Sequence, residues 1–444
     1  MNALSSRYRI IFIQAPLGRA EPLVYPLGIV TLAGVVPPEH HIKIIDPNHI
    51  GLEKTAREIN DFMPDIICLS IRNLDSQIRR DLFYYYIYLK GFINKLRIWA
   101  PQSKIIAGGA GFSLFPEKIM SDNPALDLGV FLEADISLVE LIQNLDDVTL
   151  VKGVYYREDH AVKFTGTPAL PAPERFGRPR YDLLDPRPYK ALKGVGVQTK
   201  RGCPLNCIYC TYPHLNGCRL RFLPVDQVVE ELKILKENYG IDSVSFVDGV
   251  FNIPKKRAEE LLHAMIDADL GITWGAWFTE KGFDRRFAEL CRDAGCPEFS
   301  FSPDGYSQVT LEKLGKTIKT TDIHKIYRIA REAPGIRVAF NFFWNPPGQS
   351  LSAWLKMLWF TLKCKLVLRG KAGGIIFGNP RIEPHTPLMK LALKENIIRD
   401  ETNLLPETTE DLEKVFYSNP KTRYLDWFYA FYEYLWKIKR KLLN

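Results

Sequence analysis

The sequence lacks the features that would take it out of the class of compact globular proteins. No run of about 18 uncharged apolar residues occurs, so no membrane-spanning segment is expected. No secretory leader opens the chain: the residues after Met1 are polar, and the first apolar run, Ile10 to Ile13, reads as a strand. No dense basic stripe accompanies the net charge of +8, a mild excess of 59 Lys and Arg over 51 Asp and Glu, so nucleic acid is not an expected partner. Low-complexity segments are missing, which excludes a disordered or collagen-like chain. Cysteine is sparse, with 8 in 444 residues. Without a leader, that usage implies a reducing, cytoplasmic setting in which thiols serve as ligands or core groups rather than disulfides.

What remains is ordinary in bulk and informative in detail. The hydrophobic fraction is 46% and the charged fraction 25%. At about 150 residues per domain, two or three domains are expected. The first part alternates short apolar strands with helix-length segments. Strands are read at Arg9–Gln14, Ile42–Ile45, Asp65–Ser70, Lys104–Ala107 and Leu128–Phe131. Helices are read around Leu27–Val36, Glu53–Phe62, Ser76–Trp99 and Ile136–Leu145. Uniformly apolar strands separated by helices imply a parallel sheet covered on both faces, with ligands at the carboxyl ends of the strands. Those ends carry Pro16, Asp46, Ser70 and Gly108-Gly109.

A hairpin pattern at Gly153–Phe164 is followed by a Pro- and Arg-rich stretch, Thr167–Tyr189, read as a linker. A second alternating series begins at Gly194, with about six strand–helix units, which suits a partial barrel with its site at the carboxyl-terminal rim. The expected architecture is α/β. A Rossmann-like (flavodoxin-like) parallel sheet over 1–150 is followed by a hairpin and linker over 151–193. A partial (β/α)6 TIM-type barrel then spans 194–386, and a helical carboxyl-terminal extension spans 387–444.

The chemistry concentrates in Cys203-Pro-Leu-Asn-Cys207-Ile-Tyr-Cys210, just after the first strand of the second series. Thiolates at such spacing bind soft metal: a zinc ion or an iron–sulfur cluster. A cubane has four irons, so three cysteines leave one open, as chemistry requires and a closed structural site does not. The zinc alternative is a binding module without catalysis, with His214 or Cys218 as fourth ligand. Zinc sites usually arrive as two spaced cysteine pairs, which ranks the cluster above zinc.

Together with its surroundings, this motif resembles the radical S-adenosylmethionine (SAM) family. The supporting segments are Gln198–Gly202 leading into the loop, Val247-Asp248-Gly249, Ser302-Pro303-Asp304-Gly305, Asn345-Pro346-Pro347-Gly348 and Arg381–Leu388. In the last of these, His385 stands where the family pattern has glycine. The resemblance implies that Cys203, Cys207 and Cys210 hold a 4Fe-4S cluster, with SAM on the open iron. It further implies Tyr209, Asp248, Asp304, Asn345 and Arg381 as cofactor-binding residues, Asp248 near the SAM amino group and Asp304 near its ribose. In that family an electron from the cluster cleaves SAM to a 5′-deoxyadenosyl radical, which abstracts hydrogen from unactivated carbon.

The first domain resembles the cobalamin-binding module of one branch of the family, through Pro26-Leu27-Gly28-Ile29, Ile44-Ile45-Asp46 and Ile105–Gly109. The family's Gly-Glu-Gly-Glu segment is degraded here to Leu132-Glu133-Ala134-Asp135. Ser70 and Arg72 are expected under the corrin ring, with Gly108 and Gly109 letting backbone approach the cofactor. His49 falls outside the register of a cobalt-binding histidine and reads as a loop residue.

The function so implied is cobalamin-dependent methylation of a small-molecule or natural-product carbon, fed by an electron donor such as flavodoxin or ferredoxin. An oxidative cyclisation or ring rearrangement with the same cofactors is the alternative within the family. Cys68, the only cysteine before the linker, reads as core, which argues against a methylthiotransferase with a second cluster. The aromatic helix around Trp427–Tyr432, followed by Lys437, Lys439, Arg440 and Lys441, reads as packing across the barrel. A membrane surface or a hydrophobic substrate is the other reading.

Overall fold

The computed structural model describes residues 7–443, the side chains of 80, 435–437 and 439–443 excepted. The first sheet is built from β1 (Arg9–Gln14), β2 (His41–Ile45), β3 (Ile66–Ser70), β4 (Lys104–Gly108) and β5 (Leu128–Val130), all parallel in the order β2-β1-β3-β4-β5. These strands are buried on both faces, which is why they read as continuous Ile, Leu and Val runs. The order reverses between β1 and β3, and in such sheets the crevice at the reversal is where ligands sit. Ser70 ends β3 at that crevice, paired with Gln14 on one side and Gly108 on the other.

Three sequence expectations change here. The hairpin β6 (Val154–Glu158) and β7 (Ala161–Phe164) pairs antiparallel onto β5 and extends the first sheet to seven strands, so that sheet runs past residue 150. The long helix starts at Tyr85, not Ser76. A hydrogen-bonded loop, in which Ser76 Oγ donates to the Asp81 carbonyl and accepts the Phe83 amide, occupies 76–84. The tail is only partly helical: Pro387–Lys394, Thr409–Lys414 and Leu425–Leu443 are joined by irregular chain.

The second unit runs through β8 (Gly196–Val197), β11 (Ser243–Phe246), β12 (Thr273–Gly275), β13 (Trp277–Phe278), β14 (Glu298–Asp304), β15 (Arg337–Phe343) and β16 (Ala372–Gly378). The order is β8-β11-β12 and then β13-β14-β15-β16, all parallel, a six-unit open barrel whose third strand breaks at Ala276. Rings from Phe246, Phe251, Trp274, Phe278, Phe283, Phe299 and Phe301 form a buried cluster that reaches the surrounding helices, Phe283 meeting Phe287 of the helix Arg285–Asp293. The carboxyl-terminal segment from Ile382 to Tyr417 packs on one face of the first sheet, against Ile11, Ile67 and Ile105. No helix among the described residues is long and apolar enough to cross a membrane.

Candidate functional site

The cysteine loop spans the interval between β9 (Lys200–Arg201) and β10 (Arg221–Phe222), a short antiparallel pair that closes its base. Two glycines make the loop possible. Gly202 has φ +89°, and a Cβ there would meet the Arg219 carbonyl oxygen at 2.2 Å. Gly315 has φ +71°, and its Cβ would meet the Asn206 carbonyl oxygen at 2.2 Å. Backbone bonds fix the rest: the Cys203 amide donates to Gly217, the Ile208 amide to Leu314, and the Leu388 amide to Ile208.

Cys203 is buried, and Cys207 and Cys210 are partly open. Burial pushes the Cys203 thiol above its usual range and the Cys210 thiol up to about 11, with each of the other two cysteines raising Cys210 further. Cys203 and Cys210, raised in this way, are stable as thiolates only beside a cation. Among the described residues no three His, Cys, Asp or Glu side chains converge on one point as a single metal ion requires. Of the alternative fourth ligands, Cys218 is exposed, and His214 stacks on His385 at 4.1 Å and 10°. His385 has φ +61°, which accounts for glycine in the family pattern; here the His214 ring covers the histidine that replaces it.

Asp304 closes the strand end opposite the loop. It sits at a register break in β14 with φ +61°, a conformation that costs an aspartate on the order of 1–3 kcal/mol and is held only by its surroundings. The Tyr209 hydroxyl donates to Asp304 Oδ2, and the Lys316 ammonium lies 2.5 Å from the same oxygen. Oδ1 has no protein donor among the described residues. Burial raises the Asp304 carboxyl above the ordinary aspartate range, against the pull of Lys316 and Tyr209. Two groups here escaped the sequence reading. Lys316 lies just after the Ser302–Gly305 segment and carries no motif of its own. Glu280 follows β13, is 2% exposed, and leaves Oε1 unbonded. Burial lifts the Glu280 carboxyl to about 7. No local motif marks it, because its environment is assembled from the ends of three strands.

The other expected cofactor residues are occupied by the protein itself. The Asp248 carboxylate, shielded from solvent, accepts the Thr199 amide at 2.8 Å, the Thr199 hydroxyl and the Lys200 ammonium at 3.0 Å. The ammonium it meets is therefore that of Lys200. Asn345, fully buried, donates to Ser418 Oγ at 2.8 Å and the Thr422 carbonyl at 3.1 Å, and accepts from the Thr422 hydroxyl at 2.7 Å. Arg381 pairs with Asp75 Oδ2 at 2.8 Å and Glu383 Oε2 at 2.6 Å, and donates to the Leu404 carbonyl. Both residues tie the carboxyl-terminal segment down.

At the carboxyl edge of the first sheet, a Cβ on Gly109 would meet the Ile71 carbonyl oxygen at 2.7 Å, so this glycine admits neighbouring chain; at Gly108 the contact is an ordinary 3.6 Å, with Val130. A small cavity beside them is lined by Arg72, Asn73, Asp75, Phe115, Arg381 and Glu383. Arg72 reaches solvent through it and forms no ion pair among the described residues. Surrounding protein nonetheless desolvates the guanidinium enough to lower its pKa. Burial raises Glu383 to about 7 despite Arg381.

The edge and the cysteine loop face one another. Phe131, after β5, meets the His214 ring at 5.9 Å. Arg201 and Arg221, which flank the loop, pair with Glu133, and Arg201 also pairs with Asp135. The acidic residues of the degraded segment thus clamp the loop to the first domain.

The sequence model of the Radical SAM superfamily matches residues 197–359. An uncharacterized methyltransferase of Pyrococcus horikoshii is 31% identical over 302 residues, 66% of this chain and 63% of that protein. The chain thus spans less than two thirds of that relative's length. Among solved structures, the radical S-adenosylmethionine methyltransferase TsrM from Kitasatospora setae, with cobalamin and a [4Fe-4S] cluster bound, superposes with a TM-score of 0.73 at 18% identity. The overlap covers 88% of this chain and 75% of TsrM. The cobalamin-dependent S-adenosylmethionine radical enzyme OxsB superposes with a TM-score of 0.71 at 17% identity, over 93% of this chain and 64% of OxsB. The fold described above is shared with both.

Proposed function

From the radical SAM domain that the chain carries over residues 197–359, we propose that the protein is a cobalamin-dependent radical SAM enzyme that methylates an unactivated carbon of a small molecule. One observation carries this reading. The carboxyl ends of two separate parallel sheets meet at one seam, with the three-cysteine loop on one side and the ligand crevice of the first sheet on the other.

The donor set fits the implied groups. Cys203, Cys207 and Cys210 would hold a 4Fe-4S cluster, since three thiolates on four irons leave one position open. Asp304, with an unbonded Oδ1 beside Tyr209, would accept hydroxyls of the SAM nucleoside. Ser70, Gly108 and Gly109 lie at the carboxyl ends of β3 and β4, where cobalamin would lie, and Arg72 lines the adjoining cavity with its unpaired guanidinium as an anion-seeking group. Asp248, Asn345 and Arg381 act one step behind, by fixing strand ends and the tail. When bound, these groups supply an electron, a radical precursor and a methyl carrier, and the chain supplies position and a dry enclosure. Lys316 neutralises Asp304 inside that enclosure, and burial lifts Glu280 to about 7, where its carboxyl can give or take a proton. A cytoplasmic setting with flavodoxin or ferredoxin as reductant suits thiols that all stand free of disulfides.

The test is anaerobic reconstitution with iron and sulfide. The wild-type chain is expected to show iron–sulfur absorbance and to form 5′-deoxyadenosine and S-adenosylhomocysteine. Cys203→Ala, Cys207→Ala and Cys210→Ala should each lose both. Any of these variants that still cleaved SAM would overturn the proposal. A product heavier by one methylene separates methylation from cyclisation.

A further inference from the structure

The net charge of the chain is concentrated in two segments. Residues 351–378 carry Lys356, Lys363, Lys365, Arg369 and Lys371 and no acidic residue. Residues 425–444 carry Lys437, Lys439, Arg440 and Lys441 against Asp426 and Glu433. Together they hold +7 of the overall +8.

Each segment contains an amphipathic helix whose outer face is apolar as well. The helix Leu351–Lys363 buries Ala353, Trp354, Met357 and Phe360, yet turns Leu355 and Trp359 outward at 53% and 67% exposure. Leu366, in the π-helical turn that follows, is 64% exposed. The helix Leu425–Leu443 lays Tyr429 against Trp344. Its opposite face presents Trp427, Phe431, Tyr434 and Ile438, at the i, i+4, i+7, i+11 spacing of one helical stripe. Trp427 is 86% exposed. The Trp354 and Phe428 rings meet at 5.4 Å, so the two helices stand side by side at that point, each carrying an exposed apolar patch. The expected packing of the last helix across the barrel is therefore half of the account: one face packs and the other does not. The side chains of Lys437, Lys439, Arg440 and Lys441 lie outside the described residues; their contribution here is charge and sequence position.

We propose that these patches dock the protein on an anionic lipid bilayer surface, lying in the interface without spanning it. The chemistry separates this partner from another protein. Buried cores of protein interfaces are depleted in lysine, whereas a bilayer interface takes tryptophan, tyrosine and phenylalanine at headgroup depth and lysine against the phosphates. Here both residue classes occur in the same two segments. Their combined charge of +7 favours anionic over neutral lipid, although the Lys371 ammonium is taken up by the Ala330, Arg331 and Ala333 carbonyls.

Co-sedimentation of the full chain with vesicles tests the proposal. Vesicles of phosphatidylcholine alone are compared with 3:1 phosphatidylcholine:phosphatidylglycerol. Binding to the anionic vesicles is expected to exceed binding to the neutral ones by about tenfold, and to weaken at high salt. Trp427→Ser/Phe431→Ser should reduce it by about tenfold with an unchanged melting temperature, since both side chains are solvent-exposed. Lys437→Gln/Lys439→Gln/Lys441→Gln should reduce it without touching the apolar stripe. Absence of wild-type binding to anionic vesicles, or equal binding by both variants, would overturn the proposal. So would light scattering that shows a wild-type dimer which Trp427→Ser/Phe431→Ser converts to monomer, because the patch would then belong to a second copy of the chain.

Discussion

Asp304 takes the Tyr209 hydroxyl and the Lys316 ammonium on one oxygen, deep enough that neither charge reaches water. Removing one partner of such a pair leaves the other as an uncompensated buried charge, which costs on the order of 3–5 kcal/mol. Asp304→Asn is accordingly expected to destabilise the barrel by about that amount in urea unfolding, and an unchanged midpoint would refute the pairing. Glu231 makes the opposite case. It is buried on the helix Val225–Tyr239, bonded to the Tyr181 hydroxyl at 2.7 Å, and burial raises its carboxyl to about 7. A carboxyl raised in the folded state binds a proton that the unfolded chain releases. The stability it contributes is whole below about pH 4.5 and is lost as pH rises through about 7. Glu231→Gln should flatten that decline, by on the order of 3 kcal/mol at pH 8. Melting curves between pH 5 and 8 read the difference directly. A parallel decline in wild type and variant would dismiss the assignment.

At the scale of elements, the cysteine loop depends on chain that is distant in sequence. Gly315 belongs to the turn after the helix Gln308–Lys313 and lies against the Asn206 carbonyl. Gly315→Ala would force a Cβ into the Asn206 carbonyl and strain a positive φ, so the loop must shift while the barrel strands stay paired. Lowered iron content after reconstitution, with an unchanged far-ultraviolet circular dichroism spectrum, is the expected outcome; full iron loading would contradict it. The alternation of the strands with helices was legible in the sequence because parallel strands buried on both faces leave uniformly apolar runs. Residues 76–84 were misread as helix. Their apolar and charged spacing is compatible with a helix, but the Ser76 and Asp75 side chains bond the local backbone and Gln77 reaches Glu383, which hold the segment open. The hairpin was recognised, but its attachment to β5 was not, since pairing partners are not written in either strand.

For the whole molecule, the seam between the first domain and the carboxyl-terminal segment is charged and buried. Arg381 spans from Asp75 to Glu383 and the Leu404 carbonyl, with Gln77 donating to Glu383 at 3.1 Å. Arg381→Met would leave two carboxyls facing each other without a cation. The expected result is a loss of about 3 kcal/mol or more and faster proteolysis between Lys394 and Thr409, where the chain is irregular. Unaltered proteolysis and urea midpoint would show that the seam is held by apolar contact alone. Arg201 and Arg221 with Glu133 and Asp135 make the second such clamp, at the cysteine loop itself. Both clamps join residues more than 60 positions apart, which aligns the crevice with the loop.

The sequence by itself determined what local chemistry dictates: the strand periodicity, the three-cysteine loop, and the chain order of the two sheets. Only the tertiary structure decided which polar residues are available to a ligand. Asp248, Asn345 and Arg381 match their motifs as well as Asp304 does, but their carboxylate, amide and guanidinium groups are satisfied by Lys200, Thr422 and Asp75. A buried polar group must find a partner. Which partner it finds depends on chain brought together by folding, and no spacing in the sequence records that.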